Sequence, residues 1–153
     1  MLRSRFAAAL AATMAIALAL PVAAQAQDAA AKAVAYRQGI MKANAWHIGP
    51  IAAMAKGEMA FDSASLQHHA DALAALSRMI AEGFPEGSMT DTSKAKAEIW
   101  TDMAGFEAKA KALQDATAAF AAAAPTLTQE TLGAALGPVG GACGGCHENF
   151  RAK

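Results

Sequence analysis

The feature that most constrains this chain is Cys143-Gly144-Gly145-Cys146-His147, close to the C-terminus. It holds the only two cysteines of the sequence, and a histidine directly follows the second cysteine. C-x-x-C-H is the pattern of c-type haem attachment, in which two thiols bond to the porphyrin and the histidine binds the iron. Residues three and four apart share one helix face, so the three side chains would project to one side. The pattern predicts one covalent haem c per chain, with thioether bonds from Cys143 and Cys146 and with His147 as proximal ligand.

Other uses of a C-x-x-C pair are a redox dithiol, a disulfide and half of a zinc site. A zinc site usually needs four ligands, often from a second Cys/His pair, and the sequence shows no second pair. A thioredoxin-like dithiol expects a βαβ context, whereas nothing in this chain indicates a strand. A helical binding module with a structural cysteine pair stays an alternative, since cysteines of an exported chain tend to form disulfides.

Residues 1–26 are predicted to be a cleavable signal peptide. Arg3 and Arg5 form a positively charged start, an apolar stretch without charge covers residues 6–20, and Ala24-Gln25-Ala26 fits a cleavage site. The apolar stretch is short for a membrane span of ~20 residues, which disfavours an anchor. Cleavage after Ala24 is the alternative. The mature chain, residues 27–153, is expected in the periplasm, without a stable membrane span.

The composition predicts a single helical domain over residues 27–153. Alanine, the strongest helix former, dominates the sequence. The whole chain has 13 basic and 13 acidic residues and no basic block, so nucleic acid is not an expected partner. No acid/base pair or nucleophile stands at an informative spacing, and no enzymatic activity is predicted. Alanine-rich helices bury little apolar area each, so a large apolar cofactor would supply much of the core.

Four segments carry apolar residues at three-four spacing. They predict an all-α fold, an antiparallel up-down-up-down four-helix bundle with haem between facing helices. The segments cover about residues 29–56, a stretch from residue 62 or 63 to a stop at Gly83, about 95–123, and a stretch from 126–128 into the haem motif. Asp62 or Ser63 can cap the second helix, and Thr126 with Gln129 fits a capping box at the fourth.

Each helix is expected to turn one apolar stripe inward. Kinks are expected at Gly49-Pro50 and Gly137-Pro138, because proline removes a helical hydrogen bond. Met54 is predicted to point away from its stripe. Of the histidines, His69 is predicted to face inward, whereas His47 and His68 are predicted to face solvent. The predicted stripes are Val34, Gln38, Met41, Ala45, Ile48 and Ala52; Leu66, His69, Leu73, Leu76 and Ile80; Ile99, Met103, Phe106, Ala110, Leu113, Thr117 and Phe120; and Leu132, Leu136, Val139, Cys143, Cys146 and Phe150.

Across nearly its whole mature length the chain resembles the class II cytochromes c, exported four-helix proteins with the haem motif near the C-terminus. The haem motif is highly specific, and the other shared segments are supportive in combination. The resemblance implies one of two kinds of haem protein. Cytochromes c′ keep a high-spin, five-coordinate iron with an apolar side chain over its open face, whereas low-spin members place a methionine of the first helix there. The segments that carry the resemblance are Tyr36-Arg37-Gln38, Lys56-Gly57-Glu58, Phe61-Asp62, Glu98-Ile99-Trp100 and Cys143-x-x-Cys146-His147-x-x-x-Arg151.

Met41 distinguishes the two kinds. It lies at the centre of the first stripe, and the run over residues 38–44 resembles the low-spin group, which implies Met41 as the distal iron ligand. We therefore expect a periplasmic carrier of single electrons through a low-spin haem, in which a Met/His pair raises the potential. The alternative is a high-spin cytochrome c′ that binds NO or CO, because a methionine on an apolar stripe is more often plain core.

The resemblance also implies weaker haem contacts. Arg37 and Gln38, one turn before Met41, would pair with the haem propionates, since a guanidinium suits a carboxylate. A solvated side chain is the alternative for Arg37. Trp100 would pack in the wall of the haem pocket, and Arg151 would place its charge near the proximal imidazole. The expected partners are periplasmic redox proteins, and the expected oligomeric state is a monomer or a homodimer.

Overall fold

Four long helices form the protein. A computed structural model describes the backbone of residues 3–153 and the side chains of residues 25–153. Each long helix packs against its neighbours in sequence, and the first also packs against the last. The predicted all-α four-helix bundle is therefore confirmed. The helices are α1 (Arg3–Lys56), α2 (Ser63–Ser77), the single turn α3 (Glu98–Thr101), α4 (Met103–Ala123) and α5 (Gln129–Phe150), with short 3-10 turns at Ala81–Gly83 and Ala124–Thr126.

Helix α1 extends well before the predicted start near residue 29. The alanine-rich sequence around that position contains nothing that would end a helix, because alanine propagates one at the lowest cost. Within the part of the chain that the structure describes, no helix has both the length and the apolar character needed to cross a membrane. The predicted signal peptide, residues 1–26, lies mostly outside the residues whose side chains are described, and it stays a prediction.

Two helix starts depend on side-chain caps. Asp62 caps α2 as predicted, since its carboxylate accepts a hydrogen bond of 2.8 Å from the backbone N–H of Ser65. The predicted capping box at Thr126 is wrong by two residues. Thr126 belongs to the 3-10 turn that follows α4, and the box is formed by Thr128 and Thr131, with 2.9 Å from the Thr128 N–H to the Thr131 hydroxyl.

The kinks predicted at Pro50 and Pro138 do not interrupt the helices, and a break within a predicted helix lies elsewhere. Helices α1 and α5 run without interruption through Pro50 and Pro138. The segment predicted as one helix over 95–123 is instead divided at Asp102, which leaves the helical conformation with φ −131° and ψ 58°. Its carboxylate accepts a 3.0 Å hydrogen bond from the N–H of Gly105 and so caps α4. A β-carbon at position 105 would overlap that carboxylate, so glycine there leaves room for the cap.

One end of the bundle has a compact core. It lies where α1 and α4 end and where α2 and α5 begin, around fully buried residues of α1, α2 and α5 and of the 3-10 turn that follows α4. Met54 is one of them, which corrects the prediction that it points away from the core. The amide of Gln129 also donates to the Met54 carbonyl there. The opposite end of the bundle, around residues 37–48 and the haem motif, is left with a cavity. The fully buried residues of the compact end include Ile51, Met54, Leu66, Ala70, Ala124 and Leu132.

Replacing Asp102 by alanine should lower the free energy of unfolding by about 0.5–2 kcal/mol, the usual cost of losing an N-cap side chain. Urea denaturation of the haem-loaded protein, followed by far-UV circular dichroism, measures this change. Asp115→Ala is the matched control, because it removes an exposed carboxylate from the same helix and breaks only the surface pair with Lys111. Equal losses in the two variants would contradict the capping role of Asp102.

Candidate haem-binding site

Two adjoining cavities lie at the end of the bundle opposite the compact core. The outer cavity, of about 570 Å³, is lined partly by the loop over residues 92–95 and by the end of α5. The inner cavity, of about 220 Å³, lies between the four long helices. Met41, Cys146 and His147 line both cavities, so the two spaces meet around these side chains. Both volumes together are typical of a site for a sizeable small molecule.

The predicted haem motif lies on one face of the last two turns of α5, as its spacing requires. Both cysteines are free and half-buried; Cys143 lines the inner cavity, and Cys146 lines both. Burial raises the pKa of both thiols, and for Cys146 the neighbouring Cys143 raises it further. Burial, and then the charge of Arg151, lower the pKa of His147. This shift favours the neutral imidazole, the form that binds a metal ion.

The inner cavity is apolar because the predicted inward stripes meet there. Met41, Ala45 and Ile48 of α1 were expected to form core, and all three border this space. Asn44 and Thr117 also line the cavity, but their side chains are already hydrogen-bonded within the protein. Each donates a 2.9 Å hydrogen bond to a carbonyl of its own helix. The cavity therefore suits a large apolar body. The other stripe residues in its wall are Leu73, Ile80, Ala110, Leu113, Val139 and Cys143.

The outer cavity carries positive charge without any negative charge. Arg37, Lys42, Lys94 and Arg151 line it, and no carboxylate is among the residues that line either cavity. A site that is apolar inside and cationic at its mouth matches haem, which has an apolar ring and two propionates. The donor set agrees, since two thiols and a neutral imidazole lie on one wall. The residues present therefore fit a covalently bound haem c.

Lys94 and Arg151 come together through a short backbone pairing. Ala95 and Arg151 form an isolated antiparallel bridge. The N–H of Lys96 donates to the Phe150 carbonyl at 3.0 Å, and the N–H of Ala152 donates to the Lys94 carbonyl at 2.8 Å. The loop over residues 92–95 is thus fastened beside the end of α5. This pairing completes the wall of the outer cavity next to His147.

Arg37 is buried, with only 4% of its surface exposed, which excludes the alternative of a solvated side chain. Its guanidinium donates to the carbonyls of Gly83 (3.1 Å) and Ser88 (2.9 Å) and to the hydroxyls of Ser88 (3.1 Å) and Ser93 (3.3 Å). The guanidinium carbon also lies 5.1 Å from the centre of the Phe84 ring. A guanidinium has five N–H donors. Four are engaged with the loop over residues 83–95, which includes the segment 92–95, and one is left for a propionate. The predicted propionate contact stays a prediction, and the visible role of Arg37 is to hold this loop.

Close approach of α1 to that loop depends on Gly83. A β-carbon at this position would lie 2.6 Å from the β-carbon of Arg37, which is closer than such atoms can approach. Glycine therefore lets the 3-10 turn lie directly against α1. Without that approach the Arg37 guanidinium would not reach the carbonyls that it binds.

Gln38 and Trp100 contribute less to the cavity wall than Arg37. Gln38 is exposed at the mouth of the outer cavity, and its amide donates a long 3.4 Å hydrogen bond to the Thr92 carbonyl. Trp100 lines neither cavity; it packs behind Phe84, and its indole N–H donates to the Pro85 carbonyl at 3.0 Å. Direct haem contacts for these two residues stay predictions, and the structure places Trp100 as a support for the Phe84 wall.

Sequence reasoning missed several residues of the cavity wall. Lys42 and Lys94 were not singled out, because neither lies on an inward stripe and only the tertiary fold brings them to one opening. Phe106 and Phe150 were on predicted stripes, and the structure shows that their rings pack edge to face, 5.5 Å apart, at the outer cavity. Phe84 directly follows the 3-10 turn at Ala81–Gly83, outside any long helix, where spacing gives no signal.

A C-x-x-C-H motif that faces a cavity inside a four-helix bundle defines a bundle-type c cytochrome, and comparisons with known proteins agree. The sequence pattern of cytochrome c′ matches residues 32–151. The cytochrome c′ of Cereibacter sphaeroides is 44% identical over 139 residues, which cover 88% of this chain and 92% of that protein. The chain belongs to the cytochrome c′ family, whose members carry one covalently attached haem c per chain.

Solved structures of similar proteins share the fold. Cytochrome c prime from Shewanella frigidimarina superposes with a TM-score of 0.77 at 39% identity, covering 81% of this chain and 97% of that one. A nitric oxide complex of a variant of cytochrome c prime from Alcaligenes xylosoxidans superposes with a TM-score of 0.75 at 34% identity, covering 81% and 97%.

These relatives overturn the expected low-spin electron carrier. They are cytochromes c′, the kind with an open haem face that binds gases, and nothing in the comparisons supports the Met/His-ligated group. The expectation was wrong because it depended on the run around Met41. A methionine at the centre of an apolar stripe packs equally well as an unligated apolar side chain.

Replacing Arg37 by lysine should destabilise the haem-loaded protein by about 2–3 kcal/mol, because buried acceptors of the loop lose their donors. Urea denaturation measures the loss. Arg78→Lys is the control, since Arg78 is exposed at the end of α2. If both variants unfold at the urea concentration of the parent protein, Arg37 does not anchor the loop.

Replacing both Cys143 and Cys146 by alanine should make the haem extractable. Acid–acetone treatment should remove haem from this variant and leave it on the parent protein, because only thioether bonds resist the extraction. Absorbance of the organic phase reports the difference. Haem lost from the parent protein would contradict covalent attachment through these cysteines.

Proposed function

We propose that this protein binds a diatomic gas, NO or CO, as a high-spin cytochrome c′. The observation that carries the proposal is that His147 and Met41 line the same two cavities, from α5 and from α1. A haem between them would have the imidazole of His147 on one side and the side chain of Met41 on the other. Membership of the cytochrome c′ family favours a Met41 that covers its face without binding the iron. The similar protein from Alcaligenes xylosoxidans, solved as a nitric oxide complex, supports this choice of ligand.

The residues of the site have separate tasks. Cys143 and Cys146 hold the haem, and His147 supplies the proximal nitrogen. Bound haem would supply the iron that takes up the gas molecule. The cationic mouth formed by Arg37, Lys42, Lys94 and Arg151 would attract the haem propionates.

Met41 controls access to the covered face. Its thioether side chain is half-buried, and the residues beside it in the inner cavity are mostly apolar. Water and anions gain little from entering such a space, whereas an uncharged diatomic molecule loses little. Because methionine is unbranched and flexible, it can move aside for a small ligand without disturbing its helix.

The remaining assignments follow from this proposal. The protein acts by binding and release, so we propose no enzymatic activity. We also propose that it works in the periplasm after removal of residues 1–26, as a monomer or a homodimer. Redox proteins that reduce the iron would be its partners there.

The absorption spectrum of the native protein tests the proposal, with Met41→Leu as the decisive variant. The oxidised parent protein should be high-spin at neutral pH, and the reduced protein should bind CO. Met41→Leu should keep the high-spin spectrum, because leucine replaces an apolar cover and removes no ligand. Met54→Leu is the control, since Met54 is a fully buried methionine of the same helix that lines neither cavity.

The Met41→Ala variant shows how much Met41 slows the binding of CO. Moving a packed side chain aside costs about 1–3 kcal/mol, so its removal should raise the CO association rate by about 10–100-fold. Stopped-flow mixing measures that rate. A low-spin parent spectrum that becomes high-spin in Met41→Leu would show ligation by Met41 and contradict the proposal.

A further inference from the structure

Three of the four histidines cluster away from the haem site. His47 lies on α1, and His68 and His69 lie on α2; none of them lines either cavity. His47 and His69 are half-buried, and His68 is exposed. The prediction that His47 faces solvent is thereby corrected. The pairing of α1 with α2 brings His47 to a histidine pair more than twenty positions later in the sequence.

The distances within the cluster suit coordination of one ion. The Nδ1 atoms of His47 and His69 are 2.9 Å apart. One ring nitrogen from each of the three histidines can be chosen so that all lie within 4.8 Å of one another. With Zn–N bonds of about 2.0–2.1 Å, a tetrahedral ion separates two ligand nitrogens by about 3.3–3.4 Å. Small ring rotations, of which the exposed His68 is most capable, would bring the three nitrogens around one centre.

The short contact also limits how many protons the two Nδ1 atoms can carry. Two imidazole nitrogens at 2.9 Å can share only one proton, so at least one of the two Nδ1 atoms presents a lone pair. Burial, followed by the charges of His47 and His68, lowers the pKa of His69. Neutral imidazole is the form that binds metal ions.

The two helices hold the ligands firmly. His69 directly precedes the fully buried Ala70, and the Asp62 cap fixes the start of α2. His47 directly precedes Ile48, which packs against the core cluster. Ligands on packed helices lose little freedom on binding, which favours affinity.

We propose that His47, His68 and His69 bind one divalent transition-metal ion of the zinc class, with three imidazole nitrogens and a fourth position open to water. Imidazole ligands favour Zn²⁺, Cu²⁺ or Ni²⁺ over Mg²⁺ and Ca²⁺, which prefer oxygen. Three histidines with one open position are a known pattern for Zn²⁺ in proteins. The ion would join α1 to α2 and leave the haem site untouched.

Isothermal titration of the untagged, haem-loaded protein with ZnCl₂ tests the proposal. We expect saturable binding of one ion per chain, no heat with MgCl₂, and an unchanged haem spectrum, which excludes binding at His147. Zn²⁺ at a hundredfold excess over its dissociation constant should also raise the melting temperature by several degrees, since only the folded chain assembles the three ligands.

His47→Gln and His69→Gln are the decisive variants, because glutamine preserves volume and polarity at half-buried positions. Loss of a residue that only supports a ligand costs about 10–100-fold in metal affinity, so loss of a ligand should cost at least as much. Trp46→Phe is the control; Trp46 neighbours His47, is 75% exposed and should bind Zn²⁺ like the parent protein.

Three results would overturn the proposal. One is the absence of saturable Zn²⁺ binding by the parent protein. Another is unchanged affinity in both glutamine variants, with their folding verified by circular dichroism. The third is one ion per two chains, which would place the ion between copies of the protein. In the first two cases the cluster would be a set of hydrogen-bonded histidines without a metal function.

Discussion

The structure depends on a division of the bundle into a compact end and a hollow end. Around Ile51, Leu66 and Leu132 the four helices bury one another's side chains, whereas around Met41 and Val139 the same helices face a cavity. Small alanine side chains cannot fill that space, so its apolar walls need another apolar body to cover them. A covalently attached haem meets this need. Cofactor binding and core formation are therefore the same event at this end of the protein.

Arg37 connects that hollow end to the loop that closes it. Its guanidinium donates hydrogen bonds to the backbone carbonyls of residues 83 and 88 and lies over Phe84. One N–H donor is left over for the outer cavity. A buried cation is tolerated only when such acceptors surround it. The bridge between Ala95 and Arg151 fixes the other side of the same loop. The positive mouth of the haem site thus depends on a structural network, and its charge and its rigidity cannot be changed separately.

The accuracy of the sequence-based predictions varied with the range of the interactions involved. The α2 cap at Asp62 and the shared face of the haem motif depend on residues within a few positions of each other, and these predictions were confirmed. The predicted α1 stripe was partly wrong, since Gln38 and Ala45 are exposed whereas Arg37 and Ile51 are buried. Met54 was misjudged because the predicted α1 stripe did not coincide with the buried face of the helix. Met41 was misjudged because stripe periodicity does not distinguish an apolar side chain that packs from one that binds a cofactor. The break at Asp102 was missed because its cap is indistinguishable in sequence from an exposed helical aspartate.

The sequence by itself determined the position of the haem motif, since Cys143, Cys146 and His147 need only helical spacing to share a face. It also determined the helical class and the membership of the cytochrome c′ family. Only the tertiary structure decided which distant residues meet. The outer cavity gathers cations from α1, a loop and the C-terminal end, and the pairing of α1 with α2 places His47 beside His69. Such meetings depend on how whole helices pack and in what register, and no local pattern of residues encodes that.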